Sequence, residues 1–222
     1  MKIAHIISNK VWGGGEQYVY DLCSTLISGG NDVEIFTRPI PAIVGKVATL
    51  GVPIHYYSLK NILKLRDGIV HVHNFKDALK LAVAKKLTHS NIKIVVTRHL
   101  VRPAKTSRLY TWVYANVEKI IFVSDLARKA FLSSQPMVDE TKLCVVRNSI
   151  KTNDNANSFA VDDIKASLPN DTTILMYHGR IAKEKGLNVL IDAVARLKDI
   201  PYHLFLVGAG DAEYTNELKL QI

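Results

Sequence analysis

The chain has 222 residues, enough for one or two domains, and 48% of them are hydrophobic, enough to bury a proper core. Twenty-nine Lys and Arg against 20 Asp and Glu leave a formal charge of +9, which favours anionic partners: nucleic acid, an anionic membrane or phosphorylated small molecules. The basic residues are dispersed, with no block of five and no zinc-finger or aromatic-basic RNA motif, so nucleic acid is set aside.

Short β-branched runs alternate with helix-period segments along the chain. The expected strands are 2–8, 32–37, 54–57, 69–73, 92–97, 119–123 and 142–146, and the expected helices are 16–28, 77–87, 106–117 and 125–133. In the first helix Val19, Leu22, Cys23, Leu26 and Ile27 share one face, and Gly29-Gly30 stops it. The strands are continuous apolar runs, as expected where helices cover both faces of a parallel sheet. The fold class is therefore α/β, a doubly wound, Rossmann-like parallel sheet over 1–150. Composition then shifts to Asn and Asp, with a weak helix at 161–167, and 151–171 is read as an interdomain linker. From 172 the β-α-β-α pattern restarts with strand 172–178, helix 187–197, strand 202–207 and a helix from Asp211. Residues 172–222 are read as an incomplete second Rossmann-like domain, since two parallel strands leave unpaired edges and an uncovered core.

Cys23 and Cys144 stand alone without metal spacing, which suggests buried thiols in a reducing compartment. The opening residues lack the apolar region and cleavage site of a signal peptide, and no run approaches the ~20 apolar residues that cross a bilayer. A soluble, cytoplasmic protein is expected. Basic residues such as Lys60, Lys64, Arg66, Lys85 and Lys86 would suit contact with the anionic inner face of a membrane, but ordinary solvation of these charges is slightly preferred.

Trp12-Gly13-Gly14-Gly15-Glu16 joins the first strand to the first helix. Three glycines let backbone N–H groups approach a ligand at a positive helix end, or simply make a tight turn. They do not form a dinucleotide fingerprint, because Tyr18 takes the third glycine position and no acidic residue ends the second strand. His71 and His73 share one face of a strand, two-thirds of a zinc site; no third ligand stands at metal spacing, so a cleft-lining role for His73 is preferred. His99 ends a strand, where it meets a substrate hydroxyl or faces solvent. Ser124 reads as a helix N-cap. Arg147-Asn148-Ser149 follows the last strand of the first domain.

The sharpest motif lies between 172–178 and 187–197. Arg180 and Lys185 stand five residues apart on a short loop between a buried strand and a helix start, a two-pronged clamp for a diphosphate. Gly208-Ala209-Gly210, after the next strand, adds a second loop that exposes backbone N–H groups.

Taken together these stretches resemble a family 4 glycosyltransferase of the GT-B fold. The matching segments are GGGEQYVYDLCSTLISGGNDVEIFT, IVHVHN, VVTRH, IIFVSDLARKAFL, VVRNSI, HGRIAKEKGLNVLIDAVARL and LVGAGD, in family order along nearly the whole chain. The resemblance implies two Rossmann-like domains, the second binding a nucleotide diphosphate sugar and the first a glycan or lipid-linked acceptor. It implies retaining transfer of a hexose in surface polysaccharide or lipopolysaccharide synthesis, with no cofactor and no bound metal. Arg180 and Lys185 would hold the donor diphosphate, joined by Gly14, Gly15, Gly208 and Gly210. His99 would meet the transferred sugar, and Glu16, His73 and Asn148 would serve the acceptor. The family's pair of glutamates lies downstream of LVGxGD, past the last residue here, so negligible activity is expected of the 222 residues alone. Two departures stand out: Asn148-Ser149 replaces the usual Asn-Gly, and Arg98 precedes the histidine where smaller residues are common. The competing expectations are a non-catalytic acceptor-binding remnant and a dinucleotide-dependent enzyme.

Overall fold

The structure, a computed structural model, describes residues 1–149 and 159–221. The chain divides into two compact units, Met1–Thr152 and Asn153–Ile222.

In the first unit the elements run β1 (Lys2–Ile7), α1 (Gly14–Ser28), β2 (Asp32–Thr37), α2 (Pro41–Ala48), β3 (Ile54–Tyr56), α3 (Leu59–Ile62), β4 (Ile69–Val72), α4 (Phe75–Thr88), β5 (Lys93–Arg98), α5 (Arg108–Asn116), β6 (Lys119–Phe122), α6 (Asp125–Leu132) and β7 (Leu143–Val145). All seven strands are parallel, in the order β3-β2-β1-β4-β5-β6-β7. Chain progression reverses between β1 and β4, and this switch point opens a crevice at the carboxyl ends of the two strands. The side chains of β1 and β2 divide between two cores, and β4, β5 and β6 feed the first of them. Ala4, Ile6, Val70, Val72, Ile94 and Val96 pack with Leu81, Val113 and Phe131 on one face, while Ile7, Val33 and Ile35 pack with Val19, Cys23 and Ile43 on the other. Burial on both faces is what the continuous apolar strands require. Both cysteines are free, and burial pushes the Cys23 thiol up to about 12.

The second unit holds α7 (Phe159–Ala166), β8 (Thr173–His178), α8 (Leu187–Val194), β9 (Tyr202–Val207) and α9 (Ala212–Gln221). β8 and β9 pair in parallel, and a small core forms from Ile181, Leu187, Ile191, Tyr214 and Leu218.

Element order follows the expected alternation, with two additions: α2 and α3 stand where no helix was expected. Pro41 at the first turn and Gly45 within α2 mask its apolar pair Ile43 and Val47, and α3 is one turn capped by the Ser58 hydroxyl, which accepts from the Asn61 N–H. The stretch expected as a linker lies outside the described residues up to 158, and α7 occupies part of the remainder. Among the described residues no helix is long and apolar enough to cross a membrane.

Candidate functional site

Each unit carries a separate cluster at the carboxyl ends of its strands. In the first, the chain leaves β1 through Ser8 and Asn9 and enters α1 through the glycine turn. Gly13 caps α1, and the Glu16 carboxylate, itself 6% exposed, turns back to accept from the Gly13 N–H (2.9 Å) and from the Asn9 amide. Glu16 thus spends both oxygens on holding the turn, a positioning duty beside the acceptor contact expected of it. A Cβ on Gly14 or Gly15 would meet nothing within 4 Å, so local packing leaves open space there.

A cavity of about 260 Å³ under this turn brings Gly15, Glu16, His73 and His99 together. A larger one of about 570 Å³ shares the His73 and His99 wall and extends past Arg38, Asp77, Arg98 and Tyr110. The imidazoles form a chain of ring contacts: centroids lie 4.9 Å apart for the tilted pair His5 and His71, 4.7 Å for the tilted pair His71 and His73, and 5.5 Å for the stacked pair His73 and His99, with His73 Nδ1 3.3 Å from His99 Nε2. Burial drives all four toward the neutral form. His5 falls to about 4; His71 and His73 fall well below their ordinary value, first through burial and then through the positive charge of neighbouring imidazoles, His5 and His99 for His71, and His71, His5 and His99 for His73. His99 is lowered by burial and pulled partly back by Glu16. At neutral pH His99 is therefore an uncharged imidazole, able to donate or accept one hydrogen bond at a sugar hydroxyl.

One expectation needs correction here. A third imidazole does join His71 and His73: strand pairing sets His5 beside His71, and the ligand nitrogens of His5, His71 and His73 lie within 4.8 Å of one another. It was missed because the partner arrives through the sheet and not through local spacing. Neutral imidazoles are the ligand form for zinc. In this arrangement His71 Nε2 pairs with the Thr97 hydroxyl (2.7 Å), and His5 uses neither nitrogen among the described residues.

Asp77 is a residue the motif reading passed over. At 2% exposure its carboxylate accepts from Ser8, Tyr57 and Asn74 and lies 3.5 Å from Lys80 Nζ, while Asn74 caps α4 by accepting from the Asp77 N–H (2.9 Å). This network ties β1, α4 and the residue after β3 into one rigid floor. An Asn two residues past an apolar run, followed by Asp at the third helical position, was the available signal. Asn148 lies exposed past β7, lines neither cavity, and neighbours Arg147, which pairs with Asp125 (3.2 Å). Ser124 does cap α6, accepting from the Ala127 N–H.

In the second unit β8 ends at His178, and Gly179, Arg180 and Ile181 lead to a 3-10 turn, Lys183–Lys185, and to Gly186, whose φ of +66° redirects the chain into α8. Tyr177 donates to the Arg180 carbonyl (2.8 Å), which fixes the loop from below. The Arg180 guanidinium pairs with Glu184 one turn on, while Lys185 has no ion pair among the described residues. Lys183, between them, reaches Glu217 on α9 (3.1 Å). The Arg180 and Glu184 side chains are 65% and 60% exposed, so this pair is worth only about 0–1 kcal/mol. A fork-on-phosphate contact, roughly 1.5–3 kcal/mol, outweighs it, and an incoming diphosphate can displace Glu184. Gly208 and Gly210 have a reason of their own. The loops after β8 and β9 lie against each other, and a Cβ would stand 1.8 Å from the Gly179 carbonyl oxygen at Gly208 and 1.9 Å from that of Ile181 at Gly210. Close packing demands these glycines with or without a ligand.

Two family profiles match the chain: Glycosyltransferase Family 4 over residues 12–154 and Glycosyl transferases group 1 over 160–222. A search of curated proteins found no match. Among solved structures, Anabaena Alr3699/HepE in complex with UDP-glucose is similar, with a TM-score of 0.77 at 16% identity over 100% of this chain and 65% of that one. The lipopolysaccharide outer core galactosyltransferase WaaB, in its apo form, gives 0.62 at 15% over 100% and 66%. Acinetobacter baumannii MurG gives 0.57 at 12% over 99% and 64%. At these identities the likeness is one of fold, the GT-B fold, and the chain spans about two thirds of the length of each of these proteins.

Proposed function

The chain belongs to Glycosyltransferase Family 4, and on that premise we propose that its reaction is the retaining transfer of a hexose from a nucleotide diphosphate sugar to a glycan or lipid-linked acceptor. The single observation that carries this reading is the placement of Arg180 and Lys185 on the loop between β8 and α8, with one cation held only by an exposed pair and the other in none among the described residues. As the bond between the anomeric carbon and the diphosphate oxygen breaks, negative charge grows on the leaving group. Fixed positive charge helps most at that moment, and needs no metal ion to supply it. Retention requires the acceptor oxygen to bond the anomeric carbon from the face the diphosphate leaves, and its proton passes to the departing phosphate. On the first unit, neutral His99 with His73 behind it orients sugar hydroxyls, and the open turn at Gly14 and Gly15 offers backbone N–H groups to an anion. The HepE complex with UDP-glucose supports a uridine-linked donor as the first to try. We place the reaction in cell-surface polysaccharide or lipopolysaccharide synthesis, on the cytoplasmic side.

Our reading expects negligible turnover from these 222 residues by themselves, so binding is the readout. Isothermal titration with UDP-glucose tests it: Arg180→Ala and Lys185→Ala are each expected to weaken binding about tenfold or more, the effect of one charge-assisted contact. Equal affinity across the three proteins would remove the donor clamp from the account.

A further inference from the structure

The larger cavity of the first unit is lined by six cations, Arg38, Lys76, Lys80, Arg98, Arg102 and Lys105, and by one carboxylate. That carboxylate, Asp77, is already engaged by Ser8, Tyr57, Asn74 and Lys80. Arg98 is the telling residue. Its guanidinium is half-buried between the rings of Phe75 and Phe131, with centroids 5.7 and 5.2 Å away, and one of its terminal nitrogens donates to the carbonyls of Arg102 and Pro103. Its Nε is buried with no partner, and no carboxylate lies within ion-pair distance among the described residues. Burial works against its charge, Tyr114 partly offsets this, and the nearby Arg102 adds to it. Arg38 is anchored through Nε to the Ser8 carbonyl, and among the described residues Lys105 Nζ hydrogen-bonds only the Tyr110 hydroxyl (3.2 Å). A desolvated guanidinium among like charges is a costly arrangement that an anion in the cavity relieves.

We infer that the acceptor bears a phosphoryl group, and that Arg98, assisted by Arg102 and Lys105, is the specificity-determining contact for it. The inference rests on the reading of the first unit as the acceptor side. Its warrant is the placement of six cations around one cavity: a phosphate offers about two charges and three acceptor oxygens to them, which suits guanidinium forks better than a neutral sugar does. The phosphoryl group belongs either to a soluble sugar phosphate or to the headgroup of a phosphorylated lipid carrier.

Titration with glucose 1-phosphate and with neutral methyl glucoside tests the inference, using the wild-type chain, Arg98→Met, which keeps an apolar stem between Phe75 and Phe131, and the exposed-site variant Arg102→Ala, with thermal unfolding as the check on folding. Glucose 1-phosphate is expected to bind at least tenfold more weakly to Arg98→Met, several-fold more weakly to Arg102→Ala, and unchanged to Arg180→Ala. Methyl glucoside is expected to bind weakly and equally to all. Equal binding of the charged and neutral sugars by the wild type would overturn the phosphoryl group while leaving the acceptor side intact. Displacement of glucose 1-phosphate by UDP, or its loss in Arg180→Ala, would overturn the acceptor reading itself. Flotation with phosphatidic acid vesicles against phosphatidylcholine vesicles identifies the source: selective, Arg98-dependent flotation supports the lipid form, and its absence beside retained sugar phosphate binding supports the soluble form.

Discussion

The two units are written in the same βα alphabet, yet their strands lie in different surroundings. Five of the six residues of β1 are buried, whereas every residue of β8 and β9 is half-buried or exposed, with Met176 at 58%. Ile174-Leu175-Met176 is as apolar as Ile3 to Ile7, so the strand's own composition does not set its burial; the number of neighbouring strands and covering helices does. The functional groups divide along the same line. The first unit holds its polar groups in a packed floor, with Asp77 engaged by four donors and four imidazoles in ring-to-ring contact driven toward the neutral form. The second presents its cations on an exposed loop, where one weak ion pair is easily exchanged. A packed polar floor in one unit and an exposed, exchangeable cation loop in the other are the lesson of that contrast.

The largest test of the contrast is core truncation. Ile94→Ala, at a fully buried position of β5, is expected to cost about 2–5 kcal/mol, and Leu175→Ala in half-buried β8 about 1 kcal/mol, read from denaturant unfolding of each unit. Equal costs would erase the difference between the units. Next is pH. The unfolded chain takes up a proton at each imidazole near pH 6.5, whereas folded His5 does so only near 4, so this part of stability is complete above pH 6.5 and is lost as pH falls toward 4. His5 alone accounts for about 3 kcal/mol, with His71 and His73 acting in the same direction. Thermal unfolding of the first unit between pH 7 and pH 4 is expected to show the drop, and His5→Leu, which strands no hydrogen bond among the described residues, to flatten it. A drop of the same size in the second unit, or an unaltered profile in the variant, would refute the assignment.

Smaller effects separate the two sets of glycines. Gly208→Ala drives a Cβ into the Gly179 carbonyl and is expected to destabilise the second unit by about 1–3 kcal/mol. Gly14→Ala enters open space at the start of α1 and is expected to change stability by less than about 1 kcal/mol. Native-state hydrogen exchange reads both, and a reversal of the order would mean the glycine turn, not the paired loops, is the constrained element.

The alternation of strands and helices was legible because parallel strands covered on both faces are unbroken apolar runs, and because Ser124 marks a helix start with a side chain that does cap; the equivalent cap at Asn74 was not read, and that helix starts at Phe75, two residues before its expected start. α3 was illegible because a single capped turn has no periodicity to read. His73 and His99, which follow strands beside the switch point, were readable as crevice-lining residues, since strand ends aim at the crevice. His5, Asp77 and the setting of Arg98 were not. Their partners come through strand pairing, a cap network and rings on α4 and α6, and none of these is encoded in local spacing. Gly208 and Gly210 were seen but assigned only a ligand's reason, when a loop-on-loop contact suffices for both.

The most direct test is the hydrogen-exchange footprint of UDP on the chain. The account predicts slowed exchange across 179–187, the loop that carries Arg180 and Lys185, with β4 and β5 unaffected. Slowing confined to the first unit, with 179–187 exchanging as before, would contradict it.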